Sequence, residues 1–209
     1  MIGDPKKSDI YFASGYDDKK RFASYWHQIN EVISLNPGNV LEIGVGNGFF
    51  GDYLRKRSFS VTGVDNDPGL SPDIVGDVRD LPFEDGQFDV SVCFEVLEHI
   101  PYEHFKEGLS ELRRVTASRV MISLPDPTLV WRFLLELPLV GRRKLMITWP
   151  GFRMKEYGIK GPEHCWEIGV DGCSLKRIRK DIGDTGFRVE RTYRVFENPY
   201  HRFFVLEKI

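Results

Sequence analysis

The chain has 209 residues, 41% of them hydrophobic and 29% charged, enough to bury one core of ordinary size. A formal charge of -2 gives no overall footprint for nucleic acid, and Cys93, Cys165 and Cys173, odd in number and without CxxC spacing, suggest neither a disulfide framework nor a cysteine zinc site. No stretch approaches the roughly 20 apolar residues of a membrane span. The first residues, Met-Ile-Gly-Asp-Pro-Lys-Lys, lack the apolar centre of a signal peptide, so the cytoplasm is the expected setting.

Residues 1–36 read as a polar arm followed by a helix. Phe22, Tyr25, Trp26, Ile29, Val32 and Ile33 recur at three- and four-residue spacing and predict its apolar face. Asn36-Pro37-Gly38-Asn39 stops that helix. Val40, Leu41, Ile43 and Val45 then read as a short strand buried on both sides. Gly44, Gly46 and Gly48 end it, and Phe49 to Arg57 opens a helix with its amides toward the loop. Strands follow at Ser60 to Val64, closed by Asp65, and at Ile74-Val75, closed by Gly76-Asp77. A fourth strand runs from Phe88 to Phe94, a helix from Tyr102 to Val115, and a fifth strand from Arg119 to Leu124. This alternation predicts a parallel sheet with helices on both faces, in which a ligand lies across the carboxyl ends of the strands.

The polar residues that stand out all fall at those strand ends. Glu42 is a carboxylate inside an apolar strand, which is costly to bury without a partner. Asp65, 21 residues after Gly44, can accept hydrogen bonds from two ribose hydroxyls. Asp77 can accept from an exocyclic adenine amine, and the Val78 amide can meet a ring nitrogen. A nicotinamide dinucleotide would want GxGxxG, and residues 46–51 match it literally, but in the wrong register because the first glycine of the turn is already Gly44. Glu42 would also repel a pyrophosphate, whereas a cofactor with a cationic ammonium and sulfonium would accept it.

Val40 to Gly48, Asp65, Gly76-Asp77 with Leu81-Pro82-Phe83, and Phe88-Asp89-Val90 running to Phe94-Glu95-Val96-Leu97-Glu98-His99 resemble the class I S-adenosylmethionine-dependent methyltransferases. The resemblance covers about residues 38–126. It implies a Rossmann-like, doubly wound sheet of seven strands with the last antiparallel, in a single domain over residues 1–209. It implies S-adenosyl-L-methionine as cofactor, with Glu42, Gly44, Gly46 and Gly48 near its methionine end, Asp65 on the ribose, and Asp77 and Val78 on the adenine. Asn66, Phe94 and Glu95 complete the expected cofactor contacts. The family more often has Asp at position 42 and frequently Cys at 45.

Leu175, Ile178, Ile182 and Gly186-Phe187 resemble the family's final helix and the turn after it, with closing strands at Phe187 to Phe196 and Arg202 to Leu206. Residues 127–173 between them read as an insertion that would cap the acceptor pocket. Its run from Leu129 to Val140 is strongly apolar, which fits a lid helix packed on the domain, a lipid-like or aromatic acceptor, or contact with a membrane surface. His99 and His164 are the candidate general bases for an acceptor hydroxyl. Glu95, Glu98, His99 and the distant His164 also resemble the metal-binding set of ubiquinone-biosynthesis O-methyltransferases and small-RNA 2′-O-methyltransferases, a second and competing reading. The expected activity is methyl transfer to a small molecule at oxygen. A regulatory or scaffold protein that binds the cofactor without turnover, a nicotinamide-dependent oxidoreductase and an RNA methyltransferase are the alternatives, the last disfavoured by the acidic balance.

Overall fold

The computed structural model describes residues 7–138, 141–153, 164–170 and 172–209. A short helix α1 (Lys7–Tyr11) precedes α2 (Lys19–Leu35). Asp18 starts α2 by accepting from the Arg21 amide at 2.8 Å, and Asn36, in the left-handed region, ends it. Strands β1 (Asn39–Ile43), β2 (Ser60–Asp65), β3 (Ile74–Val75), β4 (Phe88–Phe94) and β5 (Thr116–Pro125) alternate with helices α3 (Phe49–Lys56) and α4 (Phe105–Val115). After β5 come β6 (Thr128–Leu137), β7 (Gly141–Arg153), α5 (Leu175–Asp184), β8 (Phe187–Arg194) and β9 (His201–Lys208).

Seven of the strands form one sheet in the order β3-β2-β1-β4-β5-β9-β8. β1 to β5 run parallel, and β9 is antiparallel to both β5 and β8, as the resemblance implied. The chain works outward one way through β2 and β3 and the other way through β4 and β5. The crevice at the carboxyl ends of β1 and β4 is therefore the switch point where such sheets take ligands.

Two apolar layers cover the sheet. Leu41 and Ile43 of β1 and Cys93 of β4 meet Leu109 and Leu112 of α4 and Ile178 and Ile182 of α5 on one side. Val40, Val90, Val92 and Met121 meet Phe50 and Leu54 of α3 and Val32 of α2 on the other. Alternation along β1 therefore puts Glu42 on the same side as Val40, against α3.

The predicted face of α2 needs correction. Phe22 and Trp26 are exposed, and the buried stripe runs through Ser24, Gln28, Glu31 and Val32, with Ile29 and Ile33 packed at its edge. Polar residues fill it because each has a partner on the closing strands or faces the crevice. Glu31 accepts from Arg191 at 2.6 Å and from Tyr193 at 2.6 Å, and Ser24 accepts from Asn198 at 3.1 Å.

The apolar run after β5 is a hairpin, not a lid helix. β6 pairs antiparallel with β7 from Leu129 opposite Trp149 to Leu137 opposite Gly141. Trp131, Phe133 and Leu135 alternate with Arg132, Leu134 and Glu136, and Gly141, at φ +74, suits the turn end. Residues 139–140, 154–163 and 171 of the expected insertion lie outside the described residues.

Candidate active site

The loop after β1 brings backbone close to the crevice. The Gly44 amide donates to Val64 O at 2.8 Å while Gly44 sits at φ +83, and a Cβ there would run into the Val96 side chain. Gly48 heads α3, its amide on Val45 O at 2.8 Å. Gly51, the last glycine of the apparent GxGxxG run, serves neither turn nor phosphate. A Cβ on it would collide with the Glu42 carboxylate, so its bareness makes room for that acid beneath α3.

Three strand-end acids differ in state. Glu42 is 4% exposed, and burial pushes its carboxyl well above the usual carboxylate range against the pull of Arg55. Asp65 accepts from the Val45 amide through Oδ2 at 3.0 Å and from the Asp67 amide through Oδ1 at 3.0 Å. Each oxygen keeps a lone pair for a ligand. Asp77 is held by Arg79, whose Nε donates to Oδ1 at 2.8 Å and whose terminal nitrogen donates to Oδ2 at 2.6 Å. Those hydrogen bonds hold the Asp77 carboxyl below its ordinary value.

Across the crevice, the segment after β4 meets the segment before α5. The Cys165 amide donates to Glu98 O at 2.7 Å, and Trp166 Nε1 donates to Ile100 O at 3.0 Å. Trp166 is buried against Tyr102 and Phe105, which anchors the stretch. This docking lays the His164 ring against His99, edge to face, with centroids 5.0 Å apart. His164 Nδ1 lies 2.9 Å from Glu167 Oε1, and Nε2 on the other side of the ring lies 4.0 Å from Glu98 Oε1; an ionised Glu167 would accept from Nδ1 and leave Nε2 as the accepting nitrogen. Tyr200 donates to the same Glu167 oxygen at 2.7 Å.

Glu98 is fully buried, and neither of its carboxylate oxygens has a hydrogen-bond partner; His164 Nε2 lies 4.0 Å from Oε1. Burial, with the Glu95 charge adding to it, pushes its carboxyl well up. One ligand atom each from Glu98, His99 and His164 lies within 4.8 Å of the others. Glu95 stands apart from that cluster. Its backbone is at φ +54, a conformation costing a non-glycine residue about 1–3 kcal/mol, and its Oε2 lies 3.7 Å from Nε2 of buried His201. Burial lowers the His201 imidazole below its usual value, so the ring is neutral.

These groups share one cavity of about 480 Å³. Its wall includes Glu42, Gly44, Gly46, Asp65, Asn66, Asp77, Val78, Phe94, Glu95, His99 and His164, whereas Gly48 and Glu98 stand behind it. Among the described residues, Thr128–Arg153 contribute nothing to that wall. Tyr11, Tyr16, Arg21, Tyr25 and Gln28 cover one side instead, and Tyr200 and His201 close another. Sequence reading missed both groups. The only available signals were the aromatic pair Tyr11 and Tyr16 in a polar arm and a histidine opening the last strand.

Residues 41–123 match the model of the family described as "Methyltransferase domain". A ubiquinone biosynthesis O-methyltransferase of Pseudomonas aeruginosa is 34% identical over 88 residues, 35% of this chain and 38% of that protein. An uncharacterized methyltransferase of Mycobacterium sp. is 34% identical over 119 residues, 51% of this chain and 45% of that protein. The chain thus spans less than half the length of these curated relatives. Among solved structures, a magnesium protoporphyrin IX methyltransferase from Synechocystis PCC 6803 with bound SAH superposes with a TM-score of 0.66 at 18% identity, covering 97% of this chain and 93% of that one. A 1,6-didemethyltoxoflavin-N1-methyltransferase of Burkholderia thailandensis does so at 0.58 and 16%, covering 90% and 77%. The chain has the class I fold of the S-adenosylmethionine-dependent methyltransferases.

Proposed function

We propose that this chain transfers a methyl group from S-adenosyl-L-methionine to a hydroxyl oxygen of a small molecule. The observation that carries the reading is the shared cavity, in which buried Glu42, the half-free Asp65 and the His99–His164 pair face one space. The residues fit the cofactor. Glu42 is a buried carboxyl that an ammonium would ionise, and Gly44, whose missing side chain leaves room for Val96, brings the loop backbone to the cavity wall. Asp65 and Asn66 would hold the ribose, and Asp77 and the Val78 amide the adenine. Asp77 would do so while still paired with Arg79.

When bound, the cofactor supplies a methyl group already activated by its sulfonium. The chain's own task is then alignment and removal of one proton. Methylation of a hydroxyl would leave one proton for the chain to remove. His99 or His164 takes the hydroxyl proton, Glu167 holding His164 with Nε2 as the accepting nitrogen. Tyr11, Tyr16, Tyr25, Phe94 and Tyr200 on the cavity wall suit an acceptor of aromatic or lipid-like character.

One observation favours a second reading, a divalent cation at the same place. A fully buried carboxylate with both oxygens unpartnered is costly, and Glu98 has that character beside two imidazoles. A cation held by Glu98, His99 and His164 would lower the acceptor hydroxyl's pKa in place of a histidine base.

Calorimetric titration with S-adenosylhomocysteine and with NADH tests the cofactor assignment. Binding of the first and not the second is expected. Measurable affinity for NADH with none for S-adenosylhomocysteine would overturn it.

A further inference from the structure

The β6–β7 hairpin has two unlike faces. Register puts Trp131 opposite Ile147 and Phe133 opposite Leu145, with Trp149 beside Trp131 at a ring separation of 5.2 Å. These side chains and Leu135 share one face, and each is between 44% and 57% exposed. The opposite face touches the domain at a few points and leaves Leu134 47% exposed. There Arg132 donates to Phe196 O at 2.9 Å and Glu197 O at 3.0 Å, Lys144 pairs with Glu197 at 2.5 Å, and Val130 is buried. An antiparallel ribbon held by one side thus turns a continuous apolar side to water, an arrangement soluble monomers rarely keep without a use for it.

The charge pattern says what covers it. Residues 128–153 carry Arg132, Arg142, Arg143, Lys144 and Arg153 against a single acid, Glu136, in a chain whose formal charge is -2. Glu136 stands opposite Arg142, and Arg143 lies opposite Leu135 on the apolar face itself, near the tip. Two copies meeting through this face would bring like charges together. A surface of anionic headgroups over hydrocarbon meets both halves of the pattern, with tryptophan rings at the boundary and arginines at the phosphates.

The geometry points to the β6–β7 hairpin as a docking surface for an anionic lipid bilayer, entered by the Trp131–Trp149 face with Arg142 and Arg143 at the headgroups. This does not depend on methyl transfer. It fits with it, because the hairpin leaves the sheet after Pro125 and the chain returns to the cavity wall at His164.

Flotation of the full chain with vesicles tests the inference, using phosphatidylcholine alone and phosphatidylcholine mixed with phosphatidylglycerol. The chain is expected to float with the mixed vesicles only, and salt should weaken the binding. Arg142→Ser and Arg143→Ser should each weaken partition by about five-fold, and Trp131→Ser with Phe133→Ser by roughly ten-fold or more. None of these positions lines the cavity, so the affinity of each variant for S-adenosylhomocysteine should match the parent and report correct folding. Should a variant fail that control, the dependence of the parent chain on lipid charge and salt still decides. No flotation with anionic vesicles, or equal flotation with both compositions, would overturn the inference. So would a dimer in sedimentation equilibrium that Trp131→Ser dissociates while the parent ignores vesicles, since the face would then belong to a second copy.

Discussion

Replacing Asp65 by alanine separates a ligand-holding acid from a turn-holding one. In the free chain its two oxygens take the Val45 and Asp67 amides at 3.0 Å each, so the substitution strips two backbone donors of their acceptor. Both contacts are half-buried and water can reach them, which keeps the folding cost near about 1 kcal/mol. In the complex the same carboxylate would also hold two ribose hydroxyls, and leaving those unpaired in a closed cavity costs about 1–3 kcal/mol. That corresponds to roughly a 5- to 150-fold rise in the dissociation constant for S-adenosylhomocysteine. Asp65→Asn keeps the size of the side chain and one carbonyl, but turns an amide donor on one of the two backbone donors, and should fall between. Titration calorimetry reads the binding loss, and thermal denaturation without ligand reads the folding loss. An unchanged dissociation constant with a lowered melting temperature would refute the reasoning, because Asp65 would then serve the Gly44 loop and nothing more.

Glu42 predicts a pH dependence. Burial keeps the free carboxyl protonated well above its usual range, and an ammonium beside it favours the carboxylate, so binding releases a proton. Cofactor affinity should therefore rise with pH through that raised value and level off above it. Calorimetry in buffers of different ionisation heat reads the proton; no proton release in the parent, or the same release in Glu42→Gln, would contradict the assignment. His99→Ala should lower turnover by about 10² to 10⁴ while leaving cofactor affinity intact; parent-like turnover removes His99 from the chemistry. A chelator should leave turnover unchanged if a histidine is the base, whereas loss restored by magnesium or manganese would transfer the role to a cation at Glu98, His99 and His164. Gly44→Ala should cost about 1–3 kcal/mol of stability, from its φ of +83 and the collision with Val96; an unchanged melting temperature would show that the loop can move aside.

The parts of this molecule that were legible in its sequence are those whose signal is local. Val40 to Ile43 followed by spaced glycines is a strand and its turn, and Asp65 and Asp77 each close a strand that their own neighbours define. The parts that were not legible come from topology. His201 enters the cavity because β9 runs against its neighbours and brings its first residue to the end of β5, opposite Pro125. Tyr11, Tyr16 and Gln28 reach the cavity from elements that precede the sheet in the chain. The α2 face was misread because its buried acid, Glu31, is neutralised by Arg191, 160 residues away. The hairpin was open to misreading as a lid helix because its large apolar residues crowd both strands, so that only the pairing partner distinguishes period two from a buried helix.

The account stands most directly on transfer of labelled methyl from S-adenosyl-L-methionine into a small-molecule extract by the purified chain. It predicts a labelled product of low molecular mass, a matching yield of S-adenosylhomocysteine, and loss of both in Asp65→Ala at low cofactor concentration. Cofactor binding without any labelled product would contradict it, and would leave a protein that holds S-adenosyl-L-methionine without spending its methyl group.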